Sequence, residues 1–417
     1  MKLKEVFQDT EVKKAISLGG ICMLSYLACY FARNLLSAVT PQMLESDIFT
    51  LDAIGMMSTA CMITYAIGQL INGVIGDIVP TKYMVSGGLV LSGVCNLALP
   101  FLPSAIGVTV AYSVSGFFLS MLFAPITKVV TENTLPRYAT RCCLGYTFAS
   151  IFGVPLAGVA AVLFDWQTAF VVCSATLGVM GVGCFLFFVF CERKGWVQYK
   201  KRETGNDFSN KKRGIDVKAL LRHSIIRFTV ISVLTGIVRT SVVFWIPTYL
   251  AQHLGYSAVD AAAIFSVITL IKSLSPYVNN LLIYEVIMKR RMTPTLIFMF
   301  GASTLCFVLM YAVSQPWVNI VLLTLALFTS AGAATMLFSI YCPSLRETGA
   351  VSSATGFLDF MSYTAAGIAN LLFTDAISAI GWGNLILVWA ALMAAGIPVS
   401  IPWRRKKATG SQEPTVS

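Results

Sequence analysis

Arg33 and Arg239 are the first residues in this 417-residue chain from which chemistry can be read. Each stands inside a long apolar run, and each is followed by seven residues, a proline, two residues and a leucine: Arg33 leads to Pro41 and Leu44, Arg239 to Pro247 and Leu250. A guanidinium keeps its charge at any physiological pH. Placing one at the centre of a membrane helix costs roughly 2.5–3.5 kcal/mol on insertion scales. Two such residues at matching positions in the two halves of a chain point to a paired use. Their planar forks donate parallel hydrogen bonds to phosphate or carboxylate oxygens, so the chemistry they suggest is anion binding across a central cavity. Neither run contains an acid that could pair with its arginine.

Two further ionisable residues share that depth. Lys272 lies near the middle of its apolar run, and Asp359 lies nine residues into another. At about 1.5 Å of rise per residue, each arginine sits about 12 Å before its proline, and all four charges fall near one plane. Their formal charges sum to +2, which a phosphate dianion would neutralise. Two arrangements are open: Lys272 and Asp359 form an ion pair, or Lys272 joins the anion site while Asp359 reads a hydroxyl or amine of the ligand. An isolated Asp359 could also carry a proton. Tyr26 and Tyr30, seven and three residues before Arg33, share roughly one helix face and could offer hydroxyls to an oxyanion. Trp245, Tyr249, Tyr146, Tyr277 and Tyr363 are weaker candidates, because aromatics in membrane helices more often pack or anchor. The same applies to Gln69, Asn72, Asn279 and Asn280.

The elements that must position these side chains are membrane helices. Hydrophobic residues make up 57% of the chain and charged residues 12%, and mean hydropathy is +0.77, which removes the soluble globular class. Twelve apolar runs of spanning length can be marked, near 16–41, 51–77, 83–103, 105–132, 143–163, 167–190, 224–250, 258–286, 294–313, 317–341, 350–374 and 381–403. The expected fold is an all-α membrane protein of two six-helix halves, 1–190 and 220–403, joined by a basic linker, 191–219, and followed by a tail, 404–417. The halves echo one another in position: Arg33 lies 44 residues before Asp77, and Arg239 lies 46 before Glu285. Such parallel repeats place a binding site at the midplane between them. Thr50 with Asp52 resembles an N-cap and first-turn acid.

A net charge of +11 could suggest a nucleic-acid partner, but the lysines and arginines follow topology instead. With the N-terminus placed in the cytoplasm, the six external loops receive none of them, so both termini are expected to be cytoplasmic. The eleven cysteines avoid the external loops, and no disulfide is expected. The two histidines and the cysteines show no metal-ligand spacing, and no cofactor or metal is expected. The first apolar run is longer than a signal-peptide core, so no cleaved leader is expected. Lys128 reads as a snorkelling lysine near a cytoplasmic helix end. No nucleophile–base pair or phosphate-cradling glycine loop suggests an enzyme.

Three stretches bring a family into view. They are Tyr26, Tyr30, Arg33 and Pro41 in the first run, Arg239 through Trp245 and Pro247-Thr-Tyr-Leu250 in the seventh, and Met336-Leu337 through Gly356-Phe357 to Tyr363 across the tenth and eleventh. Together they resemble the organophosphate:phosphate antiporters of the major facilitator superfamily, which include the glycerol-3-phosphate and hexose-phosphate transporters. The loop from Gly73 to Lys82 resembles a degenerate form of the superfamily's glycine–aspartate–basic loop. The resemblance implies that Arg33 and Arg239 bind phosphate, and that an organophosphate, a sugar or glycerol phosphate, is exchanged for inorganic phosphate. It departs at the organic end. Ser150 stands where the glycerol-3-phosphate pattern has a histidine, Asn34 where it has a lysine and Gly236 where it has a tyrosine. The acid and lysine of the hexose-phosphate pattern align with Thr355 and Leu358, so Asp359 is out of step. The expectation is an inner-membrane antiporter acting as a monomer, its partners being the two phosphates and the bilayer. A proton-coupled organic-anion symporter using Asp359, and a transporter-like organophosphate sensor, are the alternatives.

Overall fold

Lipid offers no hydrogen bonds, so a spanning segment must satisfy its backbone internally, and the apolar runs accordingly fold as helices. The computed structural model describes residues 10–46, 48–102, 104–198, 224–345 and 351–402. Helix α1 spans Thr10–Glu45, α2 Leu51–Ile78, α3 Thr81–Ala98, α4 Ala105–Leu119, α5 Phe123–Asn133, α6 Pro136–Leu163 and α7 Trp166–Arg193. After the basic linker, most of which lies outside the described residues, α8 spans Ile225–Gly236 and α9 Val243–Gln252. The remaining helices are α10 Ala258–Val278, α11 Met292–Ala312, α12 Pro316–Thr335 and α13 Val351–Ser400. π-helical turns follow α8, α10 and α12 at Ile237–Val242, Asn279–Ile287 and Met336–Tyr341. Among the described residues, ten segments are long and apolar enough to cross a membrane. The last of these, Ala354–Ser400, covers two of the apolar runs in the sequence. It is broken only where Gly381 takes a positive φ of 73°, a conformation that glycine adopts without a Cβ penalty.

Helix starts on one side of the bundle are fixed by side-chain caps. Thr50, Ser104, Asp165 and Ser257 accept hydrogen bonds from the backbone N–H of Ala53, Gly107, Thr168 and Asp260. The Thr50 cap is the one expected from the sequence. At Asp165 the bonds from Thr168 hold the carboxyl below its ordinary range, keeping it ionised at the positive end of a helix dipole. On the opposite side, Lys82 Nζ meets Glu192 Oε2 at 2.6 Å and ties α3 to α7. Lys128 Nζ donates to Gly76 O at 3.0 Å, so this lysine reaches the end of α2. The side chain of Asp77 lies outside the described residues.

Helix α1 packs on α6, α2 on α4 and α13, α6 on α10, α8 on α13, and α9 on α1. Among the described residues, four hydrogen bonds to oxygen join the helices before residue 199 to those after 223, and a fifth runs from Asn370 Nδ2 to Met62 Sδ at 3.4 Å. Ser37 Oγ donates to Phe244 O at 2.6 Å, Thr59 Oγ1 to Gly367 O at 2.9 Å, Ser266 Oγ to Pro155 O at 3.1 Å, and Asn370 Nδ2 to Ser58 Oγ at 2.7 Å. All four lie toward the end at which α1 finishes and α2 begins. Small residues let the backbones approach there, as in other membrane helix pairs. A Cβ on Gly158 would stand 2.6 Å from Ala262 O, and one on Gly55 would collide with Thr374.

Candidate anion site

The site lies where α1, α2, α13 and the turn between α8 and α9 meet. Arg33, on α1, lays its guanidinium against aromatic rings. Its central carbon is 4.0 Å from the Tyr65 ring centre, 4.9 Å from Tyr363 and 6.0 Å from Tyr30. Tyr65 on α2 and Tyr363 on α13 touch edge to face at 5.3 Å, and Tyr26 meets Tyr30 in the same manner at 5.0 Å. Such contacts cover the faces of a guanidinium while its N–H donors point outward in its plane. Among the described residues no carboxylate lies within ion-pair distance of Arg33. Gly153 on α6 makes room for this wall, since a Cβ there would stand 2.6 Å from Tyr30 Cβ.

Arg239 is held differently. It sits within the π turn Ile237–Val242, a helix distortion often found at functional sites. Its guanidinium carbon lies 5.7 Å from the Tyr363 ring and 5.6 Å from Phe338, which belongs to a second π turn. Tyr363 therefore stands beside both guanidiniums. Arg239 Nη2 approaches Asp359 Oδ1 at 3.5 Å and Ser362 Oγ at 3.4 Å. The two arginines also share a backbone arrangement: Tyr112 Oη donates to Arg33 O at 3.3 Å, and Lys272 Nζ donates to Arg239 O at 3.2 Å.

Of the sequence candidates, the structure brings Arg33, Arg239, Tyr26, Tyr30, Lys272, Asp359 and Tyr363 into one region. The Lys272–Asp359 pair is not the arrangement found, because Asp359 faces Arg239 while Lys272 serves the carbonyl of the π turn. Ser150 lies on α6, but its side chain, like that of Tyr146, is outside the described residues. Trp245 is fully buried against Phe244, and Tyr249 packs on Trp382 and Trp389 and bonds Asn319, so both are core residues. Asn72 bonds Ser120, and Asn279 bonds Ser275 and Phe328 O, which makes them helix-to-helix ties.

Tyr65, Phe338 and Ser362 join the site without having been singled out in the sequence, where no spacing links them to either arginine. Gly236 now has a physical reason. A Cβ there would stand 2.9 Å from Ser362 Cα, so a tyrosine at this position would drive α8 away from α13.

A charged aromatic site at the meeting of two helix sets is an arrangement that several transporter folds could supply. Residues 22–370 match the sequence model of the Major Facilitator Superfamily. The chain belongs to that superfamily. Within it, the membrane sensor protein UhpC of Salmonella typhimurium is 24% identical over 399 residues, covering 90% of this chain and 87% of the relative. The glucose-6-phosphate exchanger SLC37A2 of Mus musculus is 24% identical over 413 residues, covering 82% and 78%. These relatives agree with the branch that the arginine motifs resemble. Among solved structures of the superfamily fold, a D-xylose-proton symporter superposes with a TM-score of 0.70 at 12% identity, covering 92% of this chain and 96% of that one. The chain thus stands in a superfamily of membrane transporters and their relatives rather than among enzymes.

Proposed function

We propose that this superfamily member is a secondary transporter that exchanges an organophosphate, such as a sugar or glycerol phosphate, for inorganic phosphate by alternating access. The observation that carries this reading is the convergence of Arg33 and Arg239, one on α1 and one in the turn after α8, beside Tyr363. An oxyanion between them would accept hydrogen bonds from both forks and draw the two helix sets together. The proposed architecture has twelve crossings. Pro136–Leu163 would add one to the ten long spans, and Gly381 would divide the last of them into two. Residues 1–190 and 220–403 would be the six-helix halves, with 191–219 as the linker and 404–417 as the tail. With both termini in the cytoplasm of a bacterial-type inner membrane, the hydrogen-bonded seam closes the external side and the site is reached from within. The transporter would work as a monomer.

Phosphate uptake into liposomes preloaded with phosphate tests this reading. Competition by unlabelled glycerol phosphate, hexose phosphates, phosphoglycerates and phosphocholine should identify one effective ester. Absence of phosphate exchange, with some other anion driven by an imposed proton gradient, would replace it with the symporter reading. The relative named as a membrane sensor favours a second reading, an organophosphate sensor. Robust transport by the purified chain would set a purely sensory role aside.

Tyr65 gives a sharper check on the site. A desolvated cation–π contact contributes about 2 kcal/mol, and about 1.4 kcal/mol corresponds to tenfold in affinity. Tyr65→Leu should therefore weaken phosphate binding roughly tenfold or more in calorimetry, whereas Tyr65→Phe, which keeps the ring, should bind nearly as well as the parent. Equal weakening by both would assign the role to the hydroxyl instead.

A further inference from the structure

An anion entering this site meets two unequal arginines. Among the described residues Arg33 has aromatic neighbours and no carboxylate partner, whereas Arg239 already has one in Asp359. That pair is loose. A strong guanidinium–carboxylate pair makes two parallel contacts of about 2.7–2.9 Å, but here a single oxygen lies 3.5 Å from one nitrogen. The pair is also accessible, with the two side chains 27% and 34% exposed. Asp359 is thus near enough to offset the charge of Arg239 and too distant to occupy its fork.

We propose that Asp359 is a displaceable internal counter-anion. It neutralises Arg239 while the site is empty and yields the fork when a phosphate oxygen arrives. This inference rests on the proposed phosphate site and deepens it by specifying how tightly exchange is coupled. A carrier whose buried cations had no counter-charge when empty would reorient only with anion bound, because closing around an unpaired charge leaves it desolvated without compensation. With Asp359 beside Arg239, one of the two guanidiniums keeps a partner through that closure. The empty carrier then returns more readily than one with both guanidiniums unpaired, so exchange is accompanied by a measurable net flux. The same carboxylate competes with the incoming anion and repels it, which lowers phosphate affinity.

The test uses the purified full-length chain in liposomes. Phosphate exchange and net phosphate efflux into phosphate-free buffer are measured for the parent, Asp359→Asn and Asp359→Glu. Asp359→Asn should lower the half-saturating phosphate concentration roughly tenfold, equivalent to about 1.4 kcal/mol. It should also reduce net efflux relative to exchange by about the same factor. Asp359→Glu, which keeps the charge and reaches further toward the fork, should not tighten phosphate binding and should keep net efflux relative to exchange no lower than in the parent. Weaker phosphate binding by Asp359→Asn, or an unchanged ratio of efflux to exchange, would overturn the proposal. Should that variant fail to fold, the parent still decides: vigorous exchange with no net efflux contradicts a neutralised empty state. A parent that neither binds nor exchanges phosphate would instead defeat the phosphate site itself, and this inference with it.

Discussion

Arg33→Lys and Arg239→Lys are each expected to lower phosphate exchange at least a hundredfold, or about 2.7 kcal/mol, with folded protein still recovered. Lysine retains the charge but replaces a planar fork with a compact point charge, so bidentate bonding to an oxyanion is lost. A hydrogen bond to a charged group contributes about 1.5–3 kcal/mol. At Arg33 the stacking on Tyr65 at 4.0 Å is lost as well. The two variants should therefore differ. Arg239→Lys can still face Asp359, whereas Arg33→Lys leaves an ammonium between tyrosine rings, so the Arg33 variant should have the larger effect on binding. Liposome exchange assays on size-homogeneous protein provide the measurement, and near-normal exchange by either variant would remove the two-arginine site.

Gly158→Val should impair transport by another route. A side chain at 158 must displace Ala262 O, which a Cβ would approach to 2.6 Å, and it also meets Ser266, whose hydroxyl bonds Pro155 O. Backbone cannot yield as a flexible side chain can, so α6 and α10 must separate. The seam would then close poorly, and the conformation in which it is shut would lose population. Exchange is expected to fall roughly tenfold or more, corresponding to about 1.4 kcal/mol of closure. Phosphate binding in detergent should change much less, because Gly158 is not among the residues around the arginines. Gly301→Val is the comparison: Gly301 faces open space, and its substitution should leave exchange near the parent level. Equal losses in the two variants would mean that bulk in a helix, rather than the seam, is responsible.

The sequence conveyed the cost of Arg33 and Arg239 clearly, because a charge in an apolar run stands out without any knowledge of neighbours. Tyr26 and Tyr30 were readable from helical spacing, and Thr50 from its cap chemistry. Tyr65 was not. Its relation to Arg33 exists only once α2 lies beside α1, and a tyrosine in a membrane run has bland uses that are commoner. The partner of Asp359 was hidden for a related reason: counting charges gives their sum but not which pairs form. The π turns were equally hidden. They change one local hydrogen-bond register, and residues 237–242 carry no pattern that distinguishes them from ordinary helix. The runs 350–374 and 381–403 were read as separate helices, and in the structure the non-helical backbone of Gly381 kinks the chain between them.

In three of the five bonds across the seam, the acceptors are the main-chain carbonyls of Phe244, Gly367 and Pro155 rather than side chains. A carbonyl is present whatever residue carries it. Phe244 and Pro155 on the accepting helices are therefore freer to change in identity than Ser37, Thr59 and Ser266, which must keep a small hydroxyl; Gly367 is kept small for another reason, since a Cβ there would stand 3.1 Å from Ile63 Cγ1. Insertions are another matter. Adding one residue to α6, α9 or α13 ahead of its acceptor would turn that carbonyl by about 100° away from its donor. In descendants of this chain the residues carrying the accepting carbonyls should thus change in identity more readily than their helices change in length, while Gly55 and Gly158 stay small.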